Sequence, residues 1–146
     1  MGVNLTPMPP LTRQEGWEAR LAAVVEAARA TPYKLGEHDC VRLAMAAVRA
    51  LTGHDAWPQF AGTYATRRDA MRLLAAYGKD FASAFSWLFS VPAAPMALAM
   101  RGDVCHFVAR GEHHLGVCIG QHVAVMVEAG LAYVPRSACT QCWRIG

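Results

Sequence analysis

The hydrophobic period of the chain changes at Gly102. Before it, apolar residues recur at helical spacing. Trp17, Leu21, Val24, Val25 and Ala28 form one such stripe, in a stretch that ends before Pro32. After it come short β-rich runs punctuated by glycine: "DVCHFVA", the polar turn "RGEH", "HLGVCIG", the turn "GQH", "VAVMVE", and "LAYVP" after Ala129-Gly130. Helices first and strands second predict an α+β domain, with N-terminal helices packed on a C-terminal antiparallel sheet. No internal repeat competes with that reading.

Capping signals divide the helical half. Thr12 with Glu15 three residues on has the form of a capping box ahead of the first helix. Asp39 is a good N-cap for "CVRLAMAAVRAL", which ends at Gly53. Thr66 with Asp69 opens a third helix that reaches Gly78, and Asp80 caps a fourth that runs to about Phe89. Residues 1–11 carry Pro7, Pro9 and Pro10, so they form an extended arm of the kind that lies against a partner. Residues 12–146 then make a single domain, long enough to bury one core.

Several classes are excluded on composition and pattern. A net charge of +3, with no interleaved basic and aromatic patch, argues against a nucleic-acid partner. The start "MGVNLTPMPP" has neither the basic nor the apolar region of a secretory signal, although it fits the loose myristoylation pattern Met-Gly-x-x-x-Thr. The apolar run from Phe81 to Met100 is interrupted by Pro92 and Pro95, so it predicts a buried helix and a connector, with no stable membrane span. Five cysteines without an export signal read as free thiols. Cys139 and Cys142 have the C-x-x-C spacing that chelates a metal or cycles as a dithiol. A metal would need Cys105, Cys118, a histidine or a partner chain to complete it, and two unrelated small residues explain the spacing as well. No metal or cofactor is expected.

Cys40 opens the second helix, in the stretch "TPYKLGEHDC". The positive end of a helix dipole and its free amides favour thiolate, whereas Asp39 opposes it. The apolar residues Leu43, Ala44 and Ala47 make a buried structural thiol the competing reading. A nucleophilic cysteine needs a base, usually histidine. Of six histidines, His114 is best placed, at the head of "HLGVCIG", where Gly116 leaves room for a neighbour to approach the strand.

"TPYKLGEHDC" resembles the entry to the catalytic helix of the NlpC/P60 papain-like cysteine peptidases. "RGDVCHF" resembles that family's Gly-Asp strand, and "HLGVCIG" its His-Val-Gly-Ile-x-Leu-Gly strand. The three motifs occur in the family's order. The resemblance implies a papain-like fold with Cys40 as nucleophile and His114 as base. Tyr33 would line the cleft, Asp39 and Arg42 would face substrate, and the Cys40 amide would stabilise the oxyanion. The substrate would be a peptidoglycan stem peptide. The resemblance extends to small phage tail proteins of that kind, which implies tail-tip or hub partners and a place in the virion, or in the host cytoplasm during assembly. Two positions depart from the pattern. Val41-Arg42 replaces Ser-Gly after the cysteine, and the position that orients the histidine falls on Met126. Strand alternation puts His122, Ala124, Met126 and Glu128 on one face, so Glu128 or His122 would take the orienting role after a slip or bulge. A cell-wall hydrolase and a non-catalytic tail adaptor, the latter with room for a Cys-ligated metal or iron–sulfur group, both remain open at this level.

Overall fold

A computed structural model describes residues 4–146. Four helices come first: α1 (Trp17–Arg29), α2 (Cys40–Thr52), α3 (Arg67–Ala75) and α4 (Phe81–Phe89). Five strands follow: β1 (Val104–Ala109), β2 (Glu112–Cys118), β3 (His122–Val127), β4 (Gly130–Pro135) and β5 (Cys139–Trp143). The α+β architecture is therefore the one the change of period implies.

Three helix caps form as expected. Asp39 accepts the amide of Arg42, Thr66 that of Asp69, and Asp80 that of Ser83. The first helix differs. No side chain caps it, and Gly16 precedes it in the left-handed conformation. Thr12–Glu15 is instead drawn across the end of α2, where the Gln14 amide donates to Leu51 O.

The strands form one antiparallel sheet in the order β4-β3-β2-β1-β5. The first four make the expected meander. The fifth was not expected. It crosses the sheet to pair with β1, with Cys105 opposite Cys142 and Phe107 opposite Cys139. That register shift is a bulge, and it decides where two thiols point.

The sheet has two buried faces. Val104, Leu115, Val117, Ala124, Met126 and Trp143 pack against α2, whose own Leu43, Ala44, Val48 and Leu51 are wholly or almost wholly buried. Trp143 lies among Phe85 and Phe89 and donates from Nε1 to Ser86 Oγ at 2.9 Å. Burying a side chain of that size removes enough apolar surface to stabilise the fold by about 2–3 kcal/mol. The opposite face carries Cys105, Cys118, Val123, Val125, Cys139 and Cys142, beneath the connector residues Ala94, Met96 and Ala99.

The described part of the arm is extended but packs on its own domain. Leu5 and Met8 are buried in the main core, and the Met8 amide donates to Leu88 O at 2.8 Å. Gly2, the residue of the myristoylation pattern, lies outside the described residues. The apolar run after Phe81 forms the short α4 and then a connector. Among the described residues, no helix is long and apolar enough to cross a membrane.

Candidate functional site

The turn before α2 is built around Asp39. Gly36 takes a φ of 85°, and a Cβ there would lie 2.5 Å from Tyr64 O, so only glycine fits. The turn aims its amide at Asp39. One carboxylate oxygen accepts from Arg42 N at 3.0 Å; the other accepts from Gly36 N at 2.8 Å and from the Tyr64 hydroxyl at 2.5 Å. Asp39 is 2% exposed. Both oxygens are thus engaged inside the protein, and this fixes the first turn of α2 and the position of Cys40. Burial, with Asp39 beside it, pushes the Tyr64 phenol far up, so that it remains a donor.

Cys40 is half-buried as a residue, and the backbone of Leu115 on β2 is close enough to act on its sulfur. Burial pushes the thiol up to about 11, against the smaller opposing effects of the Leu115 amide and the Arg67 charge. The helix N-terminus does not outweigh desolvation here. Cys40 rests as a neutral thiol.

His114 is the residue next to Leu115, so the structure does bring Cys40 to the predicted strand. The side chains diverge from there. His114 pairs with Phe107 across β1, and the two rings lie 5.9 Å apart. Alternation then places His114 on the face opposite Leu115. Burial and the Arg67 charge lower its pKa. Among the described residues, no hydrogen bond joins its ring to Cys40 Sγ.

The remaining expected residues are distributed around this point. Tyr33 is half-buried, and burial raises its pKa, with Arg67, Asp39, Cys40 and Glu128 all close enough to act on it. Glu128 is exposed in the turn after β3. Ala124 and Met126 are in the α2-side core, so their face of β3 is not the face that carries His114. His122 is exposed at the start of β3. Arg42 stacks over Trp57 at 5.0 Å and lines a 380 Å³ cleft between α1 and α2, with Arg20, Arg49 and Asp55.

Two arrangements were not legible from spacing. Arg67 opens α3, pairs with Glu112 at 3.1 Å, and acts on Tyr33, Cys40 and His114 together. No sequence signal ties it to β2. The second is a histidine relay on the α2 side. Gln141 Nε2 lies 3.1 Å from His106 Nδ1, and His106 Nε2 lies 2.9 Å from His113 Nδ1. Because the Gln141 amide nitrogen only donates, His106 Nδ1 accepts and its Nε2–H donates to His113. Phe81 stacks on both rings, at 4.9 and 5.2 Å.

The cysteines of the C-x-x-C do meet Cys105 and Cys118. Residues three apart on a regular strand face opposite ways, but the β5 bulge turns Cys139 and Cys142 to the same side. All five cysteines are free. Among the described residues, no group of three or more Cys, His, Asp or Glu side chains has the arrangement to hold a metal ion.

No curated protein matches the chain, and no solved structure matches it. A family model does match, over residues 12–145, which is nearly the whole chain: the protein belongs to the family described as a domain of unknown function, DUF6950.

Proposed function

We propose that this domain is a papain-like module of the NlpC/P60 kind serving as a structural adaptor in a phage tail tip, with its thiol site at rest. The observation that carries the non-catalytic reading is the state of Cys40. Burial pushes its pKa up to about 11, and no hydrogen bond links it to His114 among the described residues. A Cys–His nucleophile works through the opposite arrangement, in which imidazole draws the thiol toward thiolate. The motif order and the α+β layout support the papain-like scaffold, and the resemblance supports the tail setting.

One observation favours the hydrolase reading. Cys40 is the first residue of a buried, carboxylate-capped helix, and its sulfur meets the strand that carries His114. Rotation of that strand end would be needed to bring the imidazole round. Peptidoglycan stem peptides would be the substrate of such a site.

Iodoacetamide labelling of the folded protein across pH, read by peptide mass mapping, separates the two. The adaptor reading expects Cys40 to titrate above the ordinary thiol value of about 8.5. An apparent value below about 7, together with stem-peptide cleavage that is lost in C40A, overturns it. In a phage encoding the chain, C40A is expected to restore tail assembly and infectivity to a deletion as well as the unaltered chain does.

A further inference from the structure

Arg136 opens the short turn between β4 and β5, and its guanidinium points inward. Nη2 donates to Met96 O at 2.8 Å, and Nη1 to Ala99 O at 2.9 Å and to Gly120 O at 3.3 Å. Nη1 also lies 3.5 Å from Cys118 Sγ. Among the described residues Arg136 makes no salt bridge, whereas Arg13, Arg29, Arg49, Arg67 and Arg144 each pair with a carboxylate. Its one ionisable hydrogen-bond partner there is Cys118, although its charge also reaches Cys139 and Cys142. A partly buried cation with carbonyl partners alone is uncompensated, and the nearest source of negative charge is that thiol. As a thiol, Cys118 donates to Gly120 O at 3.5 Å. That carbonyl already accepts from Arg136, so losing the thiol proton leaves no acceptor orphaned.

Cys105 stands beside it. It pairs with Gly116, two residues before Cys118 on the same strand, so both thiols leave the sheet on one face, and both are wholly buried. The Cys105 thiol pulls both Cys118 and Cys139 down, with Arg136 acting the same way on each, while they push Cys105 up; Cys118 is the one that the guanidinium touches. The pair is polarised: one sulfur readily loses its proton and its neighbour keeps one.

We propose that Cys118 is a peroxide-sensitive thiolate and Cys105 its resolving partner, so that oxidation closes a disulfide joining β1 to β2. The thiolate attacks one peroxide oxygen, the O–O bond breaks, and hydroxide leaves, giving Cys118 sulfenic acid. The Cys105 sulfur then attacks the Cys118 sulfur. Its proton and the sulfenic hydroxyl leave as water, and the S–S bond forms. Peroxide is the oxidant and supplies both oxidising equivalents. Cys118 ends β2 beside residues 119–121, which are half-buried to exposed, and opening of that turn is the proposed route for so small a reagent.

The test uses the full chain, reduced, freed of reductant and treated with hydrogen peroxide at neutral pH. Remaining thiols are then blocked with N-ethylmaleimide and the peptides mapped by mass. The expected product has lost two hydrogens and contains a Cys105–Cys118 linked peptide, with Cys40 still blocked. In C105A, dimedone is expected to trap the sulfenic acid at Cys118. R136Q is expected to slow oxidation about tenfold while R136K preserves it. Five free thiols after treatment, oxidation of Cys40 first, a Cys139–Cys142 or Cys118–Cys139 bond, or no dimedone adduct in C105A would each overturn the proposal.

Discussion

His106 is buried among Phe81, His113 and Trp143, and that burial, with His113 beside it, pulls its pKa down to about 4. In the unfolded chain it titrates near the ordinary value of about 6.5. As pH falls below that value, the unfolded chain takes up a proton that the folded chain refuses. Stability is therefore complete above about pH 6.5 and declines between about 6.5 and 4, by on the order of 2–3 kcal/mol. His114, lowered chiefly by burial, acts in the same direction. Urea denaturation at about pH 7.5 and about pH 5 is expected to show the lower midpoint at the acid value, and H106Q a smaller difference. An unchanged midpoint would mean that these rings protonate freely in the folded state. The thiols teach the same lesson in reverse. Cys40 has the helix dipole and the familiar motif, yet desolvation wins; Cys118 has no motif, yet a guanidinium lies against it.

Among the elements, β2 is the most tightly constrained. A Cβ at Gly116 would lie 2.5 Å from Val123 Cγ1, 2.9 Å from Val125 Cγ1 and 3.0 Å from Ala124 O. The room noticed in the sequence at Gly116 is thus filled by β3 side chains. Gly116→Ala is expected to destabilise the protein by about 1–3 kcal/mol through overpacking, with the near-ultraviolet signal of the buried tryptophan disturbed. A thermal midpoint equal to that of the unaltered protein would show that β3 moves aside at no cost. Caps and meander strands were legible because their causes are local. Asp39, Thr66 and Asp80 need only an amide three residues on, and β1 to β4 are joined by short glycine-bearing turns. The cap of α1 and the strand β5 were not. Residues 12–15 answer to the end of α2, and "CTQCW" follows no alternation because its pairing contains a bulge.

Asp103 joins the two ends of the domain. It is 1% exposed and accepts from Arg13 Nη2 at 2.9 Å, from the Ile145 amide at 2.9 Å and from the Met100 amide at 2.8 Å, with Arg144 Nε at 3.1 Å. Arg13 continues outward to Ile145 O and Arg101 O. Asp103→Asn keeps the volume but leaves two guanidinium groups facing a neutral amide, so a loss of about 3–5 kcal/mol is expected in chemical denaturation. R144A, which removes a side chain that is 45% exposed, is expected to cost no more than about 1 kcal/mol. Equal effects of the two would show that the network is not held by the buried carboxylate. The Gly-Asp motif read as the start of a strand is therefore also where residue 13, the first strand and the C-terminal segment meet.

The sequence by itself determined the class of the fold, the order of its elements as far as β4 and the residues that begin three of its helices. These follow from periodicity and from bonds between residues a turn apart. Only the tertiary structure decided which face each strand presents. One bulge turned Cys139 and Cys142 to the same side, and one register paired His114 with Phe107 rather than with Cys40. Desolvation at Cys40, and a neighbouring thiol with a distant arginine at Cys118, then set the direction of each thiol, because proton affinity depends on the groups that folding brings together and not on position along the chain.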